Sequence, residues 1–223
     1  MIIEMRFPNP FRRMKTVTKV LYIKASPRGA ESKSAAVADA WLEAFTAKNP
    51  DAEIDLLDLA AEKLPEFDGN KAAAKMAIIT GQDHDGAQKT AWDEITAIAG
   101  RFASADIYLL AVPMWNGGIP YKLKQFIDII HQPGLTFGLD PEKGYSGLLT
   151  GKKAVLVLTS GAYGPAMPSP EFGTDHHSTY LKAWLNQAGV EDIVEVCFQP
   201  TLLTADPEGD LASAQAAARA AAT

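Results

Sequence analysis

Two stretches of this chain, Asp106–Val112 (DIYLLAV) and Lys153–Thr159 (KAVLVLT), are apolar at nearly every position. A strand with one wet face alternates polar and apolar residues, whereas a strand covered on both faces does not. Both stretches are too short for a buried helix, so they predict central strands with helices above and below. Lys19–Lys24 (KVLYIK) and Asp192–Phe198 (DIVEVCF) are further short strand patterns. Glu53–Leu59 (EIDLLDL) alternates, and Asp55 and Asp58 place it at a sheet edge. Helical spacing falls between these runs. Val37, Trp41, Leu42 and Phe45 mark a helix over Ser34–Lys48, and Ile95, Ile98 and Phe102 one over Ala87–Ser104. Leu123, Phe126, Ile127 and Ile130 mark Tyr121–His131; Leu181, Trp184 and Leu185 mark Ser178–Ala188; an Ala-rich helix closes the chain over Leu211–Ala222. Trp92 and Trp184, at helical positions, are expected in the core or an interface.

Strands that alternate with helices are joined by right-handed crossovers into a parallel, open α/β sheet with helices on both faces. The 223 residues suit one such domain, over residues 18–223, after an N-terminal extension of residues 1–17. Leu64–Gln88 is expected to be an excursion with a helical turn near Lys71–Ile79, and Thr136–Leu149 a hairpin-like loop.

A net charge of −6 argues against a nucleic-acid or anionic-membrane partner. No apolar run reaches the length of a membrane span, and MIIEMRFPNPFRRMKTVT lacks the apolar segment and cleavage site of a signal peptide. The single cysteine, Cys197, sits in an apolar run and is expected to be a buried, inert thiol. Its solitude fits a cytoplasmic location, and no Cys/His cluster has metal-ligand spacing, so no metal is expected.

Ligands of open α/β sheets bind outside the carboxyl ends of the strands, where strand order reverses. Three Gly/Pro-rich loops follow buried strands: ASPRGAESKSA from Ala25, PMWNGGIPYKLK from Pro113 and TSGAYGPAMP from Thr159. In the first, Ser26, Ser32 and Ser34 bring hydroxyls, and Lys33 a charge, to a helix N-terminus whose free N–H groups attract phosphate. The pattern alone equally suits a plain Ser32 helix cap. There is neither G-x-G-x-x-G nor G-x-x-x-x-G-K-[ST], which points away from dinucleotides and P-loop NTPases and toward a mononucleotide. In the second loop, Pro113, Met114 and Trp115 offer an apolar platform, Asn116 a donor and acceptor, and Gly117 and Gly118 close approach for a planar ring. The alternative is a turn around a buried Trp. In the third, backbone N–H groups near Ser160 and Gly161 are candidate donors to the side of a planar redox ring that gains negative charge on reduction; a plain strand-exit turn is the competing reading. His176 and His177 are either proton donors in an acceptor pocket or an ordinary loop-to-helix junction. Lys124 belongs to a solvated face or approaches a cofactor or partner.

The S-P-R-x-x-x-S-x-S loop, PMWNGGIPYKLKQFID with GLTF after it, and GKKAVLVLTS together resemble the FMN-dependent NADH azoreductases, among the flavodoxin-like NAD(P)H:quinone oxidoreductases. The likeness spans roughly Thr18 to Ala222. It implies a flavodoxin-like sheet of order 2-1-3-4-5 and a homodimer with one FMN per subunit at the interface. Ser26, Ser32, Lys33 and Ser34 match phosphate-binding positions. Met114, Trp115, Asn116 and Gly117, with Pro113 before them, match those along the isoalloxazine; Ser160, Gly161, Ala162 and Tyr163 match the third loop. Four features depart from the family: Ser-Gly-Ala-Tyr-Gly replaces a Ser-Arg-Gly-Gly loop, Gly117 stands where an aromatic residue often sits, GPAMPSPEFGTDHH is longer than expected, and the first eighteen residues have no counterpart.

The implied activity is ping-pong transfer of hydride from NADH or NADPH, through bound FMN, to flat aromatic acceptors such as quinones or azo compounds. Asn116, Tyr163, His176 and His177 are the candidate catalytic side chains. A flavin or nitroaromatic reductase, an electron-transfer module, or a flavin-binding module without steady NAD(P)H turnover are the alternatives.

Overall fold

The computed structural model describes residues 17–223; the expected extension, residues 1–17, lies outside the described residues but for its last position. The elements run β1 (Lys19–Lys24), α1 (Lys33–Lys48), β2 (Glu53–Asp58), α2 (Gly69–Thr80), α3 (Gly86–Ser104), β3 (Ile107–Pro113) and α4 (Tyr121–Ile130). Then follow β4 (Phe137–Asp140), β5 (Gly144–Gly147), β6 (Lys153–Thr159), α5 (Ser178–Ala188), β7 (Asp192–Phe198) and α6 (Pro207–Ala221). Five parallel strands form one sheet in the order β2-β1-β3-β6-β7. β4 and β5 pair antiparallel as a separate hairpin, so β6 and β7 are the fourth and fifth strands of the main sheet. Its order is the flavodoxin-like 2-1-3-4-5.

Successive side chains of a strand point to opposite faces, and the core divides accordingly. Leu21, Ile23, Tyr108 and Leu110 face α3, α4 and α5 beside Phe102, Phe126 and Trp184. Val20, Tyr22, Leu109 and Val155 face α1 and α6 beside Trp41 and Phe45. Each such side chain contributes on the order of 1.5–3 kcal/mol by leaving water. Stacked rings add to both layers, Phe102 on Tyr108 with centroids 4.1 Å apart and Trp41 on Phe45 at 4.7 Å.

Two expectations need correction. The helical turn expected near Lys71–Ile79 is a full twelve-residue helix, α2, capped by the Asp68 side chain and ended by Gly81 in the left-handed conformation. Its buried residues are only Lys71, Ala74 and Ala77, so the apolar stripe that announces a helix is nearly missing; Lys71 instead reaches Glu94 of α3 at 2.7 Å. Cys197 is exposed, not buried. It lies on the edge strand β7, where Val196 and Phe198 turn inward and the alternate residues Glu195 and Cys197 face outward. Among the described residues no helix is long and apolar enough to cross a membrane.

Candidate functional site

Parallel strands bring all their carboxyl ends to one edge of the sheet. β1, β3 and β6 are direct neighbours, and the pairing continues past the strands: the Ala25 amide donates to the Ala111 carbonyl (3.0 Å) and the Met114 amide to the Thr159 carbonyl (2.6 Å). The three loops singled out in the sequence therefore leave the sheet side by side.

In the first loop Ser26, Ser32 and Ser34 are all buried. Ser32 is the N-cap of α1; its Oγ accepts from the Ala35 amide at 3.2 Å and lies 3.2 Å from Ser34 Oγ. The Arg28 amide donates to Ser26 Oγ at 3.3 Å. Ser32 thus does cap the helix. The Lys33 and Ser34 amides, in the first turn, have no carbonyl within the helix to bond. The helices α2, α3 and α6 are capped by the carboxylates Asp68, Asp85 and Asp206. α1 has a neutral hydroxyl there and no acidic residue in its first turn. A neutral, donor-rich helix start is what a phosphate dianion requires, so these residues fit the terminal group of FMN. Lys33 is exposed at the rim.

The second loop is a two-residue hairpin. Trp115 and Gly118 exchange backbone hydrogen bonds at 2.8 and 3.0 Å. Asn116 (φ 49°) and Gly117 (φ 81°) between them are left-handed, as an Asn-Gly type I′ turn demands. The turn raises Trp115 and Asn116 into exposed positions over half-buried Pro113 and Met114. The Trp is therefore not buried inside its turn.

The third loop is held from outside itself. Ser160 is buried and its Oγ donates to the Tyr163 carbonyl at 2.5 Å. The carbonyls of Ser160 and Gly161 accept from the Thr201 and Leu202 amides at 2.8 and 3.0 Å. Ala162 is exposed and Tyr163 half-buried; slight burial, then the Asp175 charge, raises the Tyr163 phenol above its ordinary value. From Gly164 the chain runs across to the second loop, where the His176 amide donates to the Gly117 carbonyl at 3.1 Å.

The two histidines part at this junction. His176 is exposed. His177 is fully buried, with no well-formed hydrogen bond at either ring nitrogen. Burial depresses its pKa to about 4; the Asp175 charge and the Val112 carbonyl oppose the shift but do not overcome it. Asp175 accepts from the amides of His177 and Ser178 at 2.9 and 2.8 Å. Burial works against its ionisation, yet the bonds from Ser178 and His177 hold its carboxyl below the usual value. The burial removes His177 from the surface that an acceptor would touch.

Beside the second loop opens a cavity of about 1050 Å³, walled by Phe67, Trp115, Tyr121, Tyr180 and His176, with Asn116 at its edge. Sequence reasoning did not place Phe67 or Tyr180 there. Phe67 comes from the unpatterned excursion, which Gln125 of α4 anchors through a 3.1 Å bond from its side-chain nitrogen to the Pro65 carbonyl. Tyr180 lies in the helix pattern of α5; burial, then the Asp128 charge, pushes its phenol up to about 12. Lys124 is engaged with Asp128 at 2.5 Å.

The flavodoxin-like fold family matches residues 18–222. An FMN-dependent NADH:quinone oxidoreductase of Ruegeria pomeroyi is 51% identical over 205 residues, 92% of this chain and all of the relative. Another of that name from Desulfotalea psychrophila is 43% identical over 200 residues, 89% of this chain and 93% of the relative. Among solved structures, an FMN-dependent NADH-azoreductase of Bacillus anthracis in complex with FMN superposes with a TM-score of 0.79 at 27% identity, covering 92% of this chain and 98% of that one. Sheet order, loop geometry and these likenesses agree: the chain belongs to the flavodoxin-like family that contains the FMN-dependent NADH:quinone oxidoreductases.

Proposed function

We propose that the chain is an FMN-dependent NADH:quinone oxidoreductase that works by a ping-pong sequence and also reduces azo compounds. The observation that carries this reading is the neutral, buried hydroxyl cradle of Ser26, Ser32 and Ser34 at the start of α1, beside an exposed Trp115–Asn116 turn on the adjacent strand. The relatives' names supply the electron donor and acceptor class.

The three serines and the Lys33 and Ser34 amides hold the phosphate, with Lys33 adding charge at the rim. Trp115 gives the ring system a flat apolar support, and Asn116 supplies a hydrogen-bonding edge. Ser160, Gly161, Ala162 and Tyr163 close the third side. Bound FMN supplies the two-electron chemistry, taking hydride from reduced nicotinamide and passing it to the acceptor. The cavity beside Trp115 admits nicotinamide and acceptor in turn, and its aromatic walls exclude water around both flat rings. A second copy of the chain completes the site at this face, and the enzyme works in the cytoplasm.

The test is purification with bound flavin, followed by stopped-flow oxidation of NADH and NADPH against a quinone and an azo dye. NADH-dependent quinone reduction, with parallel lines in the initial-rate plots, is expected. Flavin-loaded protein that leaves NADH unoxidised in the presence of quinone contradicts the assignment.

A further inference from the structure

We infer that His176 determines acceptor specificity by donating a hydrogen bond to the carbonyl oxygen of a quinone in the cavity beside Trp115, an inference that rests on the quinone-reductase reading above. The position of this side chain is set by two backbone facts. Gly117, left-handed at φ 81°, has no side chain. The segment arriving from the third loop packs beside it at ordinary contact distance: a Cβ at Gly117 would lie 3.6 Å from the Thr174 carbonyl and 3.9 Å from His176 Cδ2. The bond from the His176 amide to the Gly117 carbonyl fixes the residue through its backbone and leaves the imidazole uncommitted. The ring therefore stands against the turn that carries Trp115 and Asn116, and it lines the cavity with them.

Several polar groups of the cavity are already engaged. Lys124 is paired with Asp128, the Gln125 nitrogen donates to the Pro65 carbonyl, and the Thr179 hydroxyl donates to the Asp175 carbonyl. Glu66 and Asp128 are acceptors when ionised and cannot serve a carbonyl oxygen. Tyr121 is 68% exposed and has no backbone bond to the turn. Of the remaining side-chain donors, the Asn116 amide and the Trp115 indole stand on the turn that the reading above gives to the flavin ring; outside the turn His176 and Tyr180 remain, and of these two His176 is the one bonded to the turn. A quinone presents carbonyl oxygens at the rim of its ring, open to such a donor. An azo nitrogen lies between two rings, crowded and a poorer acceptor. His176 therefore favours quinones over azo dyes.

The experiment uses the FMN-loaded, oxidised protein without NADH, titrated with a naphthoquinone by calorimetry, so that binding is read apart from turnover. His176→Phe is expected to weaken binding about 3- to 10-fold, the range of one lost hydrogen bond. His176→Gln, which keeps a donor, is expected to recover most of it. With NADH, the ratio of kcat/KM for quinone to that for azo dye is expected to fall in His176→Phe by a similar factor. Wild-type quinone affinity and preference in His176→Phe would overturn the inference, as would a loss that instead follows Tyr180→Phe. These results are distinct from failure of the functional reading, in which the wild-type protein itself does not reduce quinone.

Discussion

The first loop and the third loop lie at the same edge of the sheet but are built on opposite plans. The first is short, and its hydroxyls are buried and bonded within it, Ser32 to Ser34 and to the Ala35 amide. The third runs on for more than a dozen residues and is positioned by other segments: Thr201 and Leu202 grip its start, and Gly117 receives its end. A phosphate needs a fixed constellation of donors, whereas varied flat acceptors need a rim that can be reshaped. Changes in the first loop should therefore act on flavin retention through charge, and changes in the third on packing and acceptor choice.

The largest effect is expected at the first loop. Ser34→Asp sets a carboxylate against the phosphate, and like charges in contact at a half-screened site should weaken FMN binding at least about 100-fold. An acidic residue in the first turn suits the helix dipole, so circular dichroism should still report a folded protein. Unchanged FMN occupancy after dialysis would break the contrast.

Acid tests the other side. His177, beneath the junction of the third and second loops, has a folded pKa of about 4 against an ordinary 6.5. A group with its folded pKa depressed contributes stability above the unfolded value and loses it as pH falls through the folded one. Stability should therefore decline from about pH 6.5 toward pH 4, by up to about 3 kcal/mol from this residue. Denaturant midpoints across that range should follow the decline, and His177→Leu should flatten it.

Smaller effects separate the two ends of the third loop. A Cβ at Gly164 would stand 2.8 Å from Pro200 Cδ and 3.2 Å from the Gln199 carbonyl, neighbours that cannot swing away. Gly164→Ala should cost about 2 kcal/mol in chemical denaturation, as overpacking does. At Gly161 the obstacle is Leu202 Cδ1 at 3.0 Å, the free end of a side chain that is 78% exposed. Gly161→Ala should change stability by less than about 0.5 kcal/mol. Equal costs at both glycines would show that the loop is not clamped where Pro200 meets it.

The legibility of the sequence follows the same division. The continuous apolar runs of β3 and β6 revealed the sheet, because burial on both faces leaves no other pattern. The serine loop was visible because its hydroxyls sit at fixed offsets from a strand and a helix. α2 was understated because its few buried positions are Ala and a Lys paired with Glu94, so no stripe exists to detect. The exposure of Cys197 is not legible because an apolar run on an edge strand looks like one in the centre. The wall formed by Phe67 and Tyr180 was hidden for a different reason: it joins an excursion to a helix more than a hundred residues away, and no local spacing encodes that meeting. The divergence of His176 and His177 was equally invisible, since adjacent residues at a helix start take opposite environments only once the helix is docked.

On the proposed reading, α1 begins in a phosphate cradle, and this cradle, more than the Trp115 platform, retains the flavin. Titration of the flavin-free protein with FMN and with riboflavin, followed by flavin fluorescence, tests it directly, because the two ligands differ only in the phosphate. The expected result is FMN binding at least about 100-fold tighter than riboflavin, as two or more charge-assisted hydrogen bonds imply. Equal affinities for the two would contradict the account.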